Sequence, residues 1–193
     1  MPRPRVPDRR GRILDTAEEL VLSQGFDSMN VASIAEGAGI GKGAVYLEFA
    51  GKQEILDALL QRGTARMNER VREELGDHPR LSAAYRASAR ALSDDALMTA
   101  AFLDDRGILG AHVAEVTDGR YRDRQRRVVE WLRGLQEQGE IVADVDVEAL
   151  ALALSSASIG LLTAARLLGP FEPAQLEHAI DTIGRMAETF ERN

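Results

Sequence analysis

The chain has 193 residues, 45% of them apolar and 28% charged, with a formal net charge of −7. That length can bury the core of one or two compact domains without covalent staples. The lack of any cysteine excludes disulfides, thiolate metal sites and cysteine nucleophiles. The three histidines, His78, His112 and His178, stand far apart in sequence and never in an H-x₃-H pair, so neither a metal nor another cofactor is expected. Residues 149–165 are seventeen uncharged residues, fewer than the roughly 20 a bilayer asks for, and include three serines and a threonine. They read as a buried helix. The N-terminal arginines adjoin no apolar stretch suited to a signal peptide, so a soluble, cytoplasmic protein with no membrane partner is expected.

Charge is unevenly distributed. Residues 1–52 carry seven Arg or Lys against seven Asp or Glu, while residues 53–193 carry 17 against 24 and hold the whole net charge. A polyanion partner therefore belongs to the first quarter of the chain, and the remainder is an acidic body. Lysine occurs only at 42 and 52, against 22 arginines.

In chain order, residues 1–8 hold prolines at 2, 4 and 7 and read as a stiff arm bearing Arg3 and Arg5. Alanine, leucine, arginine and glutamate then dominate, with no alternating strand pattern, so the fold class is all-α. A first helix is expected over 9–24 with Ile13, Leu14, Ala17, Leu20 and Val21 as its apolar stripe and Gly25 as its stop. A second starts at Val31 behind Asn30 as cap, buries Val31, Ile34, Ala35 and Ala38, and ends at Gly39. A short third helix spans 42–47 with Val45 and Phe49 turned inward. Two short helices joined by a glycine turn behind a longer one make a helix-turn-helix module over 9–51. A larger helical domain, 52–193, follows, with helices expected at 52–74, 81–93, 96–104, 108–117, 120–138, 147–168 and 173–191; Asp146 and Pro173 mark two of the starts.

The segment `AGIGKGAVYLEF` supplies parts suited to a DNA groove. Gly41, Gly43 and Ala44 are small enough for close approach, Lys42 can neutralise a phosphate, and Tyr46 can donate a hydrogen bond to one. Lys52 could grip the same strand, and Arg9, Arg10 and Arg12 frame the first helix. The blander alternatives are a tight helix corner at the glycines, a half-buried tyrosine and a solvated lysine. Against them stands register: the apolar positions of 13–49 can build one three-helix core that leaves 42, 43, 44 and 46 on the opposite face.

The stretch `RILDTAEELVLSQGFDSMNVASIAEGAGIGKGAVYLEFAGKQEILDALL`, residues 12–60, resembles the N-terminal domain of TetR-type transcriptional regulators, with Ile13, Ala17, Leu20, Gly25, Phe26, Ile34, Ala35, Ala38, Gly39, Gly43, Tyr46, Phe49, Lys52 and Leu56 in the family's spacing. The resemblance implies a homodimer on a pseudo-palindromic operator of double-stranded DNA, acting as a repressor released by a small-molecule effector. By position it makes Lys42, Tyr46 and Lys52 phosphate contacts. Gly43 and Ala44 fall nearest the base edges, and Asn30 caps the second helix beside the DNA backbone; Leu47, a departure from the family, and Arg10, at the start of the first helix, are further candidate DNA contacts. The chain departs from the family at Gly41, Leu47 and Glu48. Glu48 either pairs with a neighbouring cation, the favoured reading, or faces a base, where it could accept from cytosine N4.

In the larger domain, 147–168 and 173–191 are the expected dimerisation helices, the first rich in small residues and the second carrying an apolar ridge; the alternative is that both merely complete a monomeric core. Met67, Tyr85, Leu92, Met98, Phe102, His112 and Trp131 are candidate liners of an effector pocket, each of which plain packing would also explain. The arginine run `RYRDRQRR` at 120–127 reads first as an ion-paired solvated face, then as an anion site or a second DNA contact. Release is expected through a tilt of the helix at 52–74. The rival readings are an enzyme using the pairs Asp94–Asp95, Asp104–Asp105 or Glu18–Glu19, and an architectural or protein-recruiting DNA-binding protein that needs no effector.

Overall fold

The computed structural model describes residues 8–103, 106–109, 120–169 and 171–192. Residues 1–7 with Arg3 and Arg5, the pair Asp104–Asp105, His112 and most of the helix expected at 108–117 lie outside the described residues. The described helices are α1 (Arg9–Gln24), α2 (Val31–Gly37), α3 (Lys42–Tyr46), α4 (Lys52–Leu75), α5 (Leu81–Ser93), α6 (Ala96–Phe102), α7 (Arg106–Leu109), α8 (Arg120–Glu137), α9 (Val147–Leu167) and α10 (Pro173–Glu188). The only β pairing among the described residues is an isolated bridge between Ile141 and Glu191.

The chain forms two compact units. One holds the described residues as far as Ala65 together with α6 and α7, and the other holds Arg66–Asp95 and the described residues from 120 onward. Helix α4 gives residues to both. The unit around the helix-turn-helix thus extends past the expected 9–51, because Ile55, Leu56, Leu59 and Leu60 of α4 are buried with the three-helix core.

In the first unit the expected stripes are buried: Ile13, Leu14, Ala17 and Val21 of α1, Ile34 and Ala35 of α2, and Val45 and Phe49 at α3. Leu20 is half-buried. Two residues of the α1–α2 loop, Phe26 and Met29, are buried as fully as the helical positions. The Asn30 side chain accepts from the Ala32 and Ser33 amides, and Ser33 answers from N3, so α2 begins in a reciprocal capping box. Gly25 ends α1 at φ +79°, ψ 158°, a region essentially reserved for glycine. A Cβ there would sit 2.5 Å from the Gly107 carbonyl oxygen, and the next amide, Phe26, donates to the Ile108 carbonyl at 2.7 Å. The turn after α1 is therefore bound to the backbone of α7.

The second unit is built on Leu81, Val129, Leu132, Leu135, Ile141, Val147, Leu150, Ala151 and Ala187. Helices α5 and α10 are laced by Arg86 to Glu188 (2.8 Å) and by Arg90 to Glu177 (2.8 Å) and Asp181 (3.1 Å). Helix α5 lacks a side-chain cap of its own. Its Ser82 amide instead donates to the buried Glu191 carboxylate at 2.7 Å, from the far end of the chain. Asp146 and the pair Glu172–Gln175 cap α9 and α10.

The expectation that 149–165 is a buried helix is corrected. The window Val147–Ala165 has a mean hydropathy of 1.6, long and apolar enough by composition to cross a membrane, yet only 17% of it is buried within the chain. Ala151 faces the core, whereas Leu152 and Leu167 are exposed, so the small and apolar residues of α9 do not form one inward face.

Gly25→Ala should lower the free energy of unfolding by about 1–3 kcal/mol, since it meets both a glycine-only backbone region and the Gly107 carbonyl. Gly139→Ala, at φ +74° with open space around it, should cost only about 1 kcal/mol. Urea unfolding of the two variants checks the order; equal losses would mean that the α7 contact contributes nothing.

Candidate functional site

Helix α3 has five residues, too short to persist alone, and is held by Val45 and Phe49 beneath it. Its outer face carries Lys42, Gly43, Tyr46 and Leu47, with Tyr46 58% and Leu47 77% exposed; Ala44 is half-buried. Gly39, which closes the preceding turn, sits at φ +63° and needs glycine. Gly41 and Gly43 do not: neither has a positive φ, and a Cβ added at either would meet nothing within 4 Å. Their small size answers no packing need inside the protein, which removes the tight-corner explanation for these two positions.

The basic residues at the start of α1 hold this face from behind. Arg12 donates to the Ala38 carbonyl at the end of α2, where a cation also complements the helix dipole. Arg10 donates to the Glu48 carbonyl at 3.4 Å and lies 4.3 Å over the Phe49 ring. Arg9 pairs with the Glu48 carboxylate at 3.3 Å. Of the two readings of Glu48, the structure has the neighbouring cation.

Lys52 has partners within the protein. Its ammonium donates to the carbonyls of Phe26 (3.2 Å), Asp27 (3.3 Å) and Met29 (3.3 Å), and sits 4.5 Å from the Phe26 ring centre. Lys52 thus ties down the α1–α2 loop, and a phosphate contact by its ammonium would draw on the same three donors. The signal was present in the sequence, in the buried aromatic of a loop, but spacing alone does not distinguish a cation facing DNA from one facing carbonyls.

Of the carboxylates weighed for an enzyme, Glu18 and Asp95 have structural partners. Glu18, with Asp15, takes the fork of Arg62 at 2.6 Å to each; Asp95 is buried against Arg66 at 2.5 Å. Among the described residues no group of three or more His, Asp or Glu side chains could hold a metal ion.

A cavity of about 320 Å³ opens among α4, α5, α8 and α9 of the second unit. Tyr85, Leu92 and Trp131 line it as expected, joined by Val71, Val128 and Leu154. Its polar side holds the Tyr85 hydroxyl, 3.4 Å from the Ser158 hydroxyl; burial pushes the Tyr85 phenol above its usual pKa, and the Ser158 contact works against that shift. The other expected liners are not among the residues that line this cavity. Met98 is buried in the first unit and Phe102 belongs to the first unit as well, while Met67 is half-buried on α4 away from the cavity wall. His112 lies outside the described residues. Ser155 and Ser158, read from sequence as small dimer-face residues, line the cavity.

A helix-turn-helix with an outward-facing third helix, in a chain whose second unit is helical and carries an apolar cavity, is the architecture of an all-α DNA-binding regulator. Residues 13–59 match the model of the bacterial regulatory proteins, tetR family. Residues 13–59 are thus a TetR-family DNA-binding domain, and by that domain the chain is a TetR-type transcriptional regulator. It is 29% identical over 149 residues to the HTH-type transcriptional repressor KstR2 of Mycobacterium tuberculosis strain H37Rv, covering 74% of each chain. Among solved structures it resembles a SmeT–triclosan complex (TM-score 0.70, 24% identity, 96% of this chain and 92% of that one). It also resembles FadR from Bacillus subtilis in complex with stearoyl-CoA (TM-score 0.69, 17% identity, 92% and 97%). At these identities the two structures establish the shared fold.

Replacing Lys52 by Met should destabilise the first unit by about 1–3 kcal/mol through three lost charged hydrogen bonds. At a temperature where the variant is still folded, DNA affinity should be nearly unchanged. A large affinity loss in a fully folded Lys52→Met protein, measured by fluorescence anisotropy, would restore Lys52 to the phosphate.

Proposed function

We propose that this protein is a soluble, cytoplasmic, homodimeric repressor that binds a palindromic operator and leaves it when a predominantly apolar small molecule enters the α5–α8–α9 cavity. The observation that carries the DNA reading is the pair of glycines at 41 and 43, which the fold itself does not require. Gly43 lies inside α3, where glycine costs about 1 kcal/mol relative to alanine, and a helix surface that must approach another body closely accounts for keeping it. Lys42 and Tyr46 contact phosphates, and Arg10, anchored on Phe49, points its remaining donors toward the DNA backbone. Gly43, Ala44 and Leu47 lie against base edges, Leu47 suiting a thymine methyl, and Asn30 contributes by fixing the start of α2. With so few polar groups on the reading face, much of the specificity comes from DNA shape.

The dimer reading rests on α9 and α10. Leu167 is 71% and Met186 61% exposed, and most of the apolar window of α9 is uncovered by its own chain. Two copies related by a two-fold axis would cover these faces as a four-helix bundle, which a palindrome also asks for. The effector reading rests on the apolar cavity wall; KstR2 is described in its solved structure as a ketosteroid regulator, and SmeT and FadR were solved with triclosan and stearoyl-CoA. Helix α4 supplies Val71 to the cavity and Ile55 to the DNA-binding unit, so its tilt is the means of release. An effector-independent architectural protein on this fold would have no use for such a cavity.

Gly43→Ala should raise stability by about 0.5–1 kcal/mol while weakening operator binding, and the opposite signs are the diagnostic. Lys42→Ala combined with Tyr46→Phe should weaken binding to all DNA sequences alike and flatten the salt dependence between about 50 and about 200 mM. Mobility shift against the DNA upstream of the protein's own coding sequence measures both. A Gly43→Ala protein with full affinity would overturn the close-approach argument.

The double variant Leu167→Glu, Met186→Glu should sediment as a monomer with a folded circular-dichroism spectrum and should lose operator binding. A dimer that survives both charges would place the interface elsewhere.

A further inference from the structure

Residues 37–53 contain a single carboxylate, Glu48, in a stretch otherwise neutral or basic. It stands two positions past Tyr46, at the end of the face that α3 turns outward. Two consecutive residues of α1 converge on it: Arg9 Nη1 lies 3.3 Å from its carboxylate, and Arg10 Nη1 donates to its carbonyl at 3.4 Å. Neighbouring carboxylates of the unit have structural tasks. Asp8 accepts from the Gly11 amide, Glu54 accepts from the Ala50 amide at 2.6 Å, and Asp15 and Glu18 take the fork of Arg62. The position of α3 does not depend on the Glu48 carboxylate. Val45 and Phe49 are buried beneath it, and Arg10 rests on the Glu48 carbonyl and the Phe49 ring, contacts that any side chain at 48 would leave in place. The Arg9–Glu48 pair is about a quarter exposed on each side (24% and 28%), where an ion pair adds little stability.

What the pair does change is charge. Sequence-independent DNA binding is carried by cations that displace counterions from phosphates. A guanidinium clamped by a carboxylate presents no net charge to a phosphate, because the repulsion of one group offsets the attraction of the other. We infer that Glu48 is a specificity-determining residue that acts through Arg9: it withholds this cation from the DNA backbone and so keeps the grip on arbitrary sequence weak. A freed Arg9 strengthens complexes on arbitrary DNA more than the operator complex. On arbitrary DNA the protein takes whichever register brings the long side chain to a phosphate, whereas on the operator the seating of α3 has already fixed the register. A genome offers on the order of a million or more competing sites, so the ratio of the two affinities decides how much protein reaches the operator. The inference rests on α3 being the DNA-reading helix.

The test uses the full-length protein and two duplexes followed by fluorescence anisotropy: the tightest one it selects from a random-sequence library, and a scrambled duplex of equal length and composition. Glu48→Gln keeps the shape and removes the charge. It should raise affinity for the scrambled duplex on the order of fivefold at about 0.1 M salt, and steepen the salt dependence by about one phosphate contact per bound head. Affinity for the selected duplex should rise less, so that the ratio of the two falls. Arg9→Ala alone should leave scrambled-duplex affinity nearly unchanged, and in the Glu48→Gln background it should erase the gain. The melting temperature of each variant should match that of the parent. An unchanged scrambled affinity in Glu48→Gln, an equal gain on both duplexes, a gain that survives Arg9→Ala, or a marked drop in melting temperature overturns the inference. So does a change confined to one base pair of the selected duplex, which would put Glu48 against a cytosine. If selection recovers no preferred duplex, the DNA reading of α3 falls and the inference with it.

Discussion

A five-residue helix cannot hold its own shape in water, because a single turn fixes more backbone freedom than its one or two hydrogen bonds return. The rest of the first unit follows from that constraint. Val45 and Phe49 bury completely and give α3 its position. Arg10 lies on Phe49, Arg12 closes the carbonyl end of α2, Arg9 takes Glu48, and Lys52 ties down the loop between α1 and α2. Each of these cations faces a carbonyl, a ring or a carboxylate of a neighbouring element. Cations near the reading helix therefore divide into those that build it and those left to face outward, and in α3 itself only Lys42 is of the second kind.

That division changes how the charge of the sequence is understood. Seven cations and seven anions in the first 52 residues look like a neutral surface. Glu48 is held by Arg9, Asp15 and Glu18 by Arg62 of α4, and Asp8 accepts from the Gly11 amide at the start of α1. None of these carboxylates belongs to α3. Local geometry decides what a polyanion would meet, and net charge says little about it.

Much of this was legible in the sequence. The boundaries of α1 and α5 and the caps Asn30 and Asp146 followed from apolar periodicity and from residues whose side chains reach their own backbone two or three positions on. Those signals are local. What the sequence did not disclose is carried by contacts distant along the chain: Lys52 on the carbonyls of 26, 27 and 29, the Gly107 carbonyl against Gly25, and Glu191 capping α5 from 109 residues away. Helix periodicity finds a buried face but not what lies opposite it, which is why Met98 and Tyr85 looked equally suited to a pocket that only Tyr85 lines. The smallness of Ser155 and Ser158 was visible, but not whether it served a partner helix or a cavity.

Helix α9 draws the second unit's features together. Along it, Leu150 and Ala151 enter the core, Leu154 and Ser158 face the cavity, Ser155 contacts Gln125 of α8, and Leu167 faces outward. A rigid helix cannot adjust one of these faces while leaving the others in place, since packed interiors resist continuous deformation. On the effector reading, a ligand in the cavity therefore acts on the same backbone on which the proposed partner rests. On the dimer reading, ligand and partner act on one element, and their binding energies are linked through it. The coupling must also be reciprocal: whatever favours one geometry of paired α9 helices changes ligand affinity by the same factor that ligand changes the pairing.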